Sequence, residues 1–233
     1  MDTPRPSLPL TRREISDAVG GIGWRFVLGA LQTAVSVESV ARGCAVVADA
    51  VDVCGEHADG SLRADVRSDT VVLTLQSRAG ASVTSREIDL ARQVSDRLGH
   101  AGLTPDTRGG VGSRSVQMLE IAIDAVDIAG IRPFWKAVMG YVDEAGQAGP
   151  ENPLVDPLGQ GPAIWFQHMD PPRRDRNRIH LDVSVPHDEA ARRVRAATDA
   201  GGVVVSDARV PAYWVLADVE GNEVCVTTWQ GRD

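Results

Sequence analysis

The sequence predicts two α+β domains in one chain, joined near Gly102–Ser115. Three observations carry this reading. A length of 233 residues, with 43% hydrophobic and 24% charged side chains, suits two globular cores better than one. The first half runs helix, two strands, helix, two strands, helix. The second half runs strand, helix, three strands, and then repeats that order. The expected divisions are a disordered tail over 1–10, a first domain over 11–103, a linker over 104–115 and a second domain over 116–230.

In the first half, Thr11-Arg12-Arg13-Glu14 is a capping-box pattern that opens a helix to about Val19, because the threonine hydroxyl and the glutamate satisfy each other's backbone donors. Gly20, Gly21 and Gly23 end it. Trp24 to Ser36 reads as two strands turning at Leu28-Gly29. Val37, Val40, Ala41, Cys44, Val47, Ala48 and Val51 recur at helical spacing and predict one apolar stripe. Leu62–Val66 and Thr70–Leu75 read as strands around Arg67-Ser68-Asp69. Thr84-Ser85-Arg86-Glu87 is a second capping box, opening a helix with Ile88, Ala91, Val94, Ser95 and Leu98 on its buried side. A four-stranded antiparallel sheet with three helices on one face is the simplest layering of these elements.

In the second half, Gly109-Gly110-Val111-Gly112 has a linker's composition. A strand over Val116–Ala125 precedes Asp127, which caps a helix that carries Ile131, Phe134, Trp135 and Val138 and ends at Gly140. Tyr141–Asp143, Leu154-Val155 and Ala163–Gln167 follow as strands. Arg178–Val185 then opens the second copy, with a helix over Asp188–Ala200 bearing Ala191, Val194, Arg195 and Thr198. Its strands are Val203–Val205, Tyr213–Ala217 and Glu223–Trp229. Glu120 precedes Asp127 by the interval at which His180 precedes His187, so the copies are nearly in register.

Composition removes several classes of function. A net charge of −8 argues against a nucleic-acid partner, which needs a clustered basic surface. Lys136 is the sole lysine. No apolar run approaches the roughly 20 residues of a membrane span, and Met1–Leu10 lacks the apolar segment of a secretory signal. Cys44, Cys54 and Cys225 show no metal-type pairing and read as reduced core thiols, which suits a cytoplasmic protein. Phosphate-loop, dinucleotide and serine-elbow motifs are absent.

The first hundred residues resemble the pterin-4a-carbinolamine dehydratases. The likeness rests on Gly23-Trp24, on Glu56-His57-Ala58-Asp59 at that family's His-His-Pro-Asp, and on Thr84–Ala91 at its Thr-x-x-Asp-Ile-x-Leu-Ala. It implies a lyase that dehydrates 4a-hydroxytetrahydropterin with histidines as acid and base, a role suited to imidazole. His57, Glu56, Arg78 and Glu87 are the implied catalytic positions. Glu56 and Ala58 replace residues of the motif, and Arg78 stands where the third histidine falls. A guanidinium holds its proton at any relevant pH, so Arg78 can bind an anion but cannot shuttle protons. Glu56 beside His57 reads either as a base or as a solvated helix end.

Val116–Trp229 resembles the vicinal-oxygen-chelate superfamily, most closely its glyoxalase-like branch. The matching segments are Phe134-Trp135 with Met139-Gly140-Tyr141, Asn177–Val183 and Asp218–Cys225. The resemblance implies paired βαβββ modules around a cleft, with ligand-binding residues Glu120, Trp165, Gln167, His180 and Cys225. Metal-dependent members take ligands from the first and last strands of each module. Here Glu120 and His180 hold the first-strand positions, and Cys225 stands where a closing glutamate is expected. Two readings follow: a cleft without cofactor, or a divalent ion held by Glu120, His180 and Cys225. Arg173–Arg178 reads as an anion grip or a solvated loop. Trp165, Trp214 and Trp229 read as an aromatic wall or as core. The expected partner is a small molecule, with a pterin as candidate, and the expected assembly is a homodimer.

Overall fold

The computed structural model describes residues 10–106, 116–147, 149–170 and 179–231. Most of the expected tail, Gly109–Gly112 and Arg173–Arg178 lie outside them. The chain divides into two compact units, Met1–Met118 and Leu119–Asp233.

The first unit runs α1 (Arg12–Gly20), β1 (Arg25–Val27), β2 (Ala30–Ser36), α2 (Val40–Cys54), a 3-10 turn at Gly55–His57, α3 (Ala58–Ser61), β3 (Leu62–Val66), β4 (Thr70–Leu75), α4 (Ser85–His100) and β5 (Pro105–Asp106). The sheet has the order β1-β2-β4-β3 and is antiparallel throughout, with β5 also paired to β2. Pro105–Asp106, which composition assigns to the linker, is therefore part of the sheet. Gly23 explains the position of β5. Its φ is +82° and an added Cβ would stand 2.5 Å from the Pro105 carbonyl oxygen, so only glycine lets that strand close. Trp24, fully buried, donates its indole N–H to Ser95 Oγ at 2.9 Å.

Helices α1, α2 and α4 lay Ile15, Val19, Val46, Ala50, Ala91, Val94 and Leu98 against Leu31, Val35, Val71, Leu73 and Leu75 of the sheet. On α2 the buried face is Gly43, Val46, Ala50 and Cys54, whereas Cys44 is exposed. This corrects the predicted stripe, and Cys44 is not a core thiol. The helix is apolar around most of its circumference, so hydrophobicity does not select a face. Gly43 does: a Cβ there would lie 2.7 Å from Val66 Cγ1, so the backbone approaches the strands at that point.

The second unit contains β6 (Glu120–Ala125), α5 (Ile128–Met139), β7 (Val142–Asp143), β8 (Leu154–Val155), β9 (Ala163–His168), β10 (Leu181–Ser184), α6 (His187–Asp199), β11 (Val203–Arg209), β12 (Tyr213–Ala217) and β13 (Glu223–Thr227). Two four-stranded sheets have the orders β6-β9-β8-β7 and β10-β13-β12-β11. In each, the first strand of a module pairs in parallel with its last strand, so the repeat read from the sequence is a repeat of topology. Asp127 caps α5 through Gly130 N–H at 3.0 Å, and Gly140 closes it in the left-handed conformation. α6 buries Ala190 and Ala197, one position round from the predicted Ala191 and Thr198. In so alanine-rich a helix, packing rather than side-chain size chooses the face.

Polar anchors hold the first module. Buried Arg132 donates to Asn152 O and to Asp143 Oδ1, each at 2.7 Å. Lys136, the one lysine, donates to Asp143 Oδ2 at 2.7 Å. These two partners, Lys136 foremost, hold the Asp143 carboxyl below its usual range. Gly202 passes so close to α5 that a Cβ would lie 2.1 Å from Phe134 Cδ2. Gly202→Ala is expected to lower the second unit's thermal midpoint by several degrees, because neither the backbone nor a fully buried ring can yield without strain. Scanning calorimetry on the full chain reads this.

Glu87 is fully buried. It accepts hydrogen bonds from Thr84 N–H at 2.8 Å, Thr84 Oγ1 at 2.6 Å and Ser61 Oγ at 2.9 Å. Burial pushes its pKa up, but the donors together outweigh that and hold it below the ordinary value. A depressed folded-state pKa stabilises above the unfolded value, near 4.3, and that contribution disappears as pH falls through the folded value. Glu87→Ala is expected to lose about 2–3 kcal/mol at pH 7, for the cap and two orphaned donors. In urea melts the stability difference between Glu87→Gln and the parent should shrink below about pH 4.

Candidate functional site

The first-unit candidates come from three elements and do not converge equally. His57 ends the 3-10 turn after α2 and lies 4.0 Å, Nε2 to Oε1, from Glu56. Glu56 is 89% exposed and His57 40%. Arg78 is exposed, and its backbone N–H donates to Gly60 O at 2.9 Å. Beside it is Arg63, whose pKa is lowered by desolvation and then by the Arg78 charge. Glu87 belongs to the capping network above, with its oxygens turned to Thr84 and Ser61. Of the positions implied as catalytic, Glu56 and His57 form a pair, Arg78 lies beside Arg63, and Glu87 is held in the capping network.

The second-unit candidates fall on two sheets. Alternation and register settle the faces. In the first module Ala122 pairs with Trp165 and Asp124 with Gln167, so Glu120, Ala122, Asp124, Trp165 and Gln167 share the face opposite the core residues Ile123, Ile164 and Phe166. Trp165 is half-buried, and Glu120 and Gln167 are exposed. Glu120 lies near Glu144, whose carboxyl is raised by burial and then by the Glu120 charge.

In the second module Asp182 pairs with Cys225, Ser184 with Thr227, and Val215 and Tyr213 with Cys225 and Thr227 from the other side. Leu181, Val183, Val224, Val226 and Leu216 turn to the helices. The opposite face therefore carries His180, Asp182 and Ser184 beside Glu223, Cys225 and Thr227. His180 Nδ1 lies 3.2 Å from Asp182 Oδ1 and 3.8 Å from Cys225 Sγ. Cys225 is buried, whereas the His180 and Asp182 side chains are 59% and 53% exposed. The predicted pair His180 and Cys225 does meet. Their third companion is Asp182, which motif matching passed over and the His-x-Asp alternation marks. Glu120 is not among them.

Two cavities of about 360 Å³ each adjoin His180. The first lies between the leading strands of the modules, bounded by Ile121–Asp124, Trp135, Met169, Ile179–Leu181, Asn222 and Glu223. The second lies on the sheet face, bounded by His180, Asp182, Tyr213, Val215, Glu223, Cys225 and Thr227. His180 and Glu223 line both. Trp214 packs on the core side and Trp229 is 63% exposed beside His187, so the three tryptophans do not form one aromatic wall.

The turn from β12 to β13 fixes this face. Asp218, almost fully buried, accepts from Trp135 Nε1 at 2.9 Å, Asn222 Nδ2 at 2.9 Å, Asn222 N–H at 2.9 Å and Glu220 N–H at 3.0 Å. Glu220 in turn accepts the N–H groups of Val126 and Asp127 at 2.8 and 2.6 Å. The turn of one module thereby holds the helix start of the other.

Paired βαβββ modules with this turn have a counterpart among known families. Residues 120–227 match the glyoxalase-like domain family. No curated protein matches the chain. Among solved structures, the chain is similar to a glyoxalase/bleomycin resistance protein/dioxygenase family enzyme from Burkholderia phytofirmans, at 17% identity over 47% of this chain and 95% of that one, TM-score 0.39. It is similar to a transcriptional coactivator/pterin dehydratase from Brucella melitensis, at 22% identity over 39% and 98%, TM-score 0.34. The fosfomycin resistance protein FosX of Listeria monocytogenes aligns at 10% identity over 48% and 89%, TM-score 0.38.

In the glyoxalase-like domain, Trp135→Phe removes one donor to Asp218 and leaves its other three. A loss of about 1 kcal/mol is expected. If Asp218 is the tie between the modules, the unfolding transition of this domain should shift while the first unit's stays in place, as calorimetry of the full chain would register.

Proposed function

We propose that the chain is a small-molecule-binding protein whose ligand sits at His180 of the glyoxalase-like domain, in the cavities that adjoin it. The observation that supports this most directly is that His180 and Glu223 line both cavities. A volume of about 360 Å³ in each lies in the range of compact ligand sites. The described polar lining is Asp124, His180, Asp182, Tyr213, Asn222, Glu223 and Thr227, with the Cys225 thiol. Carboxylates accept hydrogen bonds and repel anions, so the favoured ligand is compact, uncharged or cationic, and rich in N–H and O–H donors. Trp135, Ile179 and Leu181 supply the apolar side. A reduced pterin has these properties, and it is also what the first unit's resemblance implies.

The probe is 7,8-dihydrobiopterin, titrated into the chelator-treated full chain and followed by tryptophan fluorescence. Saturable quenching is expected, with affinity about ten-fold weaker in His180→Ala, the equivalent of one lost hydrogen bond. Absence of saturation, or quenching indifferent to His180, would overturn the assignment.

A second reading concerns the first unit and rests on the Glu56–His57 pair. A lyase acting on 4a-hydroxytetrahydropterin needs a group that both takes and gives a proton, and His57 with Glu56 supplies one. The dehydration rate over the spontaneous background, parent against His57→Ala, tests it. An acceleration lost in the variant is expected of a lyase. A rate equal to background assigns the first unit to binding or assembly.

A further inference from the structure

We infer that His180, Asp182 and Cys225 form a site for a thiophilic divalent cation of the zinc class, contained within one βαβββ module. The site rests on the reading that places the ligand at His180. Its three donor atoms, one nitrogen, one oxygen and one sulfur, all lie within 4.8 Å of one another.

Their spacing matches coordination. Zinc bonds of about 2.0–2.1 Å to nitrogen, 2.0–2.2 Å to oxygen and 2.3 Å to sulfur, set at tetrahedral angles, give N···O near 3.3 Å and N···S near 3.6 Å. The separations here are 3.2 and 3.8 Å, so the two contacts of His180 are spaced as the edges of a tetrahedron would be, and all three donors lie within 4.8 Å. The sheet produces this. Asp182 and Cys225 are register partners on parallel strands, and His180 is two residues from Asp182 on the same face.

The alternative for a Cys-His-Asp trio is a nucleophile with its base and orienting acid. That arrangement uses the two ring nitrogens separately, one toward sulfur and the other toward the carboxylate. Here Nδ1 faces both partners, which is convergence on a point and not a relay. The donor set also selects the ion. A thiolate and an imidazole favour zinc-class metals over magnesium or calcium, which prefer oxygen alone. Binding would release the Cys225 thiol proton to solvent.

The set differs from the one implied by family resemblance. Glu120, from the other module, is replaced by Asp182, two residues after His180 in the same module. Three protein ligands leave a fourth position for water or ligand, and the cavity bounded by Tyr213, Glu223 and Thr227 adjoins it.

The test is titration of the chelator-treated full chain with Co(II), followed by competition with Zn(II). One equivalent should bind and produce the near-ultraviolet thiolate-to-cobalt charge-transfer band. Cys225→Ser should abolish the band. Asp182→Asn should weaken binding by about ten-fold or more, since even indirect support of a ligand is worth that much. Glu120→Gln should bind like the parent. Near-ultraviolet dichroism establishes that each variant is folded, and Cys225→Ala serves if the serine variant is not. A parent without the band, or a Glu120→Gln loss equal to that of Asp182→Asn, would overturn the site. Pterin binding that survives a failed cobalt titration refutes the cation site alone. A bound cation without pterin binding refutes the ligand assignment alone.

Discussion

The second unit depends on one buried carboxylate. Asp218 sits in the turn between β12 and β13 and receives Trp135 of α5, so an element of the second module is tied to the helix of the first. A nearly inaccessible carboxylate is tolerable only when its oxygens are occupied, and four donors do this. The same turn sends Glu220 to the first N–H groups of the α5 region, where an acid also suits the helix dipole. The exit of this turn sets where Glu223 and Cys225 begin, and so sets which groups oppose His180.

Much of this was legible from patterning. Both capping boxes, the Leu28-Gly29 turn, the Asp127 cap, the Gly140 stop and the duplicated strand-helix-strands order follow from local chemistry. Local chemistry is read from neighbours in sequence. What escaped were choices made by distant partners. The buried face of α2 is selected by Gly43 against Val66 and Val71, not by the distribution of valines. β5 exists because Gly23 admits Pro105. Glu87 reads as a site residue in a motif, yet Ser61, 26 positions away, completes a cage of donors around it. In the site itself, the family pattern directed attention to Glu120 and away from Asp182. The period-two rule already placed Asp182 beside His180, but only the strand register shows that Cys225 is opposite.

The two units depart differently from the motifs of the families they resemble. In the first, Glu56 and Arg78 stand where the resemblance expects histidines, as one pair with His57 and another with Arg63. A guanidinium keeps its proton, so Arg78 cannot stand in for a histidine as a proton carrier. In the second, Cys225 stands where the resemblance expects a carboxylate, and the sheet register sets its place opposite Asp182 and near His180.

That contrast follows from where each group is mounted. His57 and Glu56 project from a 3-10 turn, with Glu56 almost fully exposed. Proton transfer depends on a short and aligned contact. Asp182 and Cys225 are fixed by parallel pairing, and His180 immediately precedes that ladder. A paired strand spaces its side chains by its own repeat. The spacing that the proposed cation site needs is thus supplied by backbone hydrogen bonds.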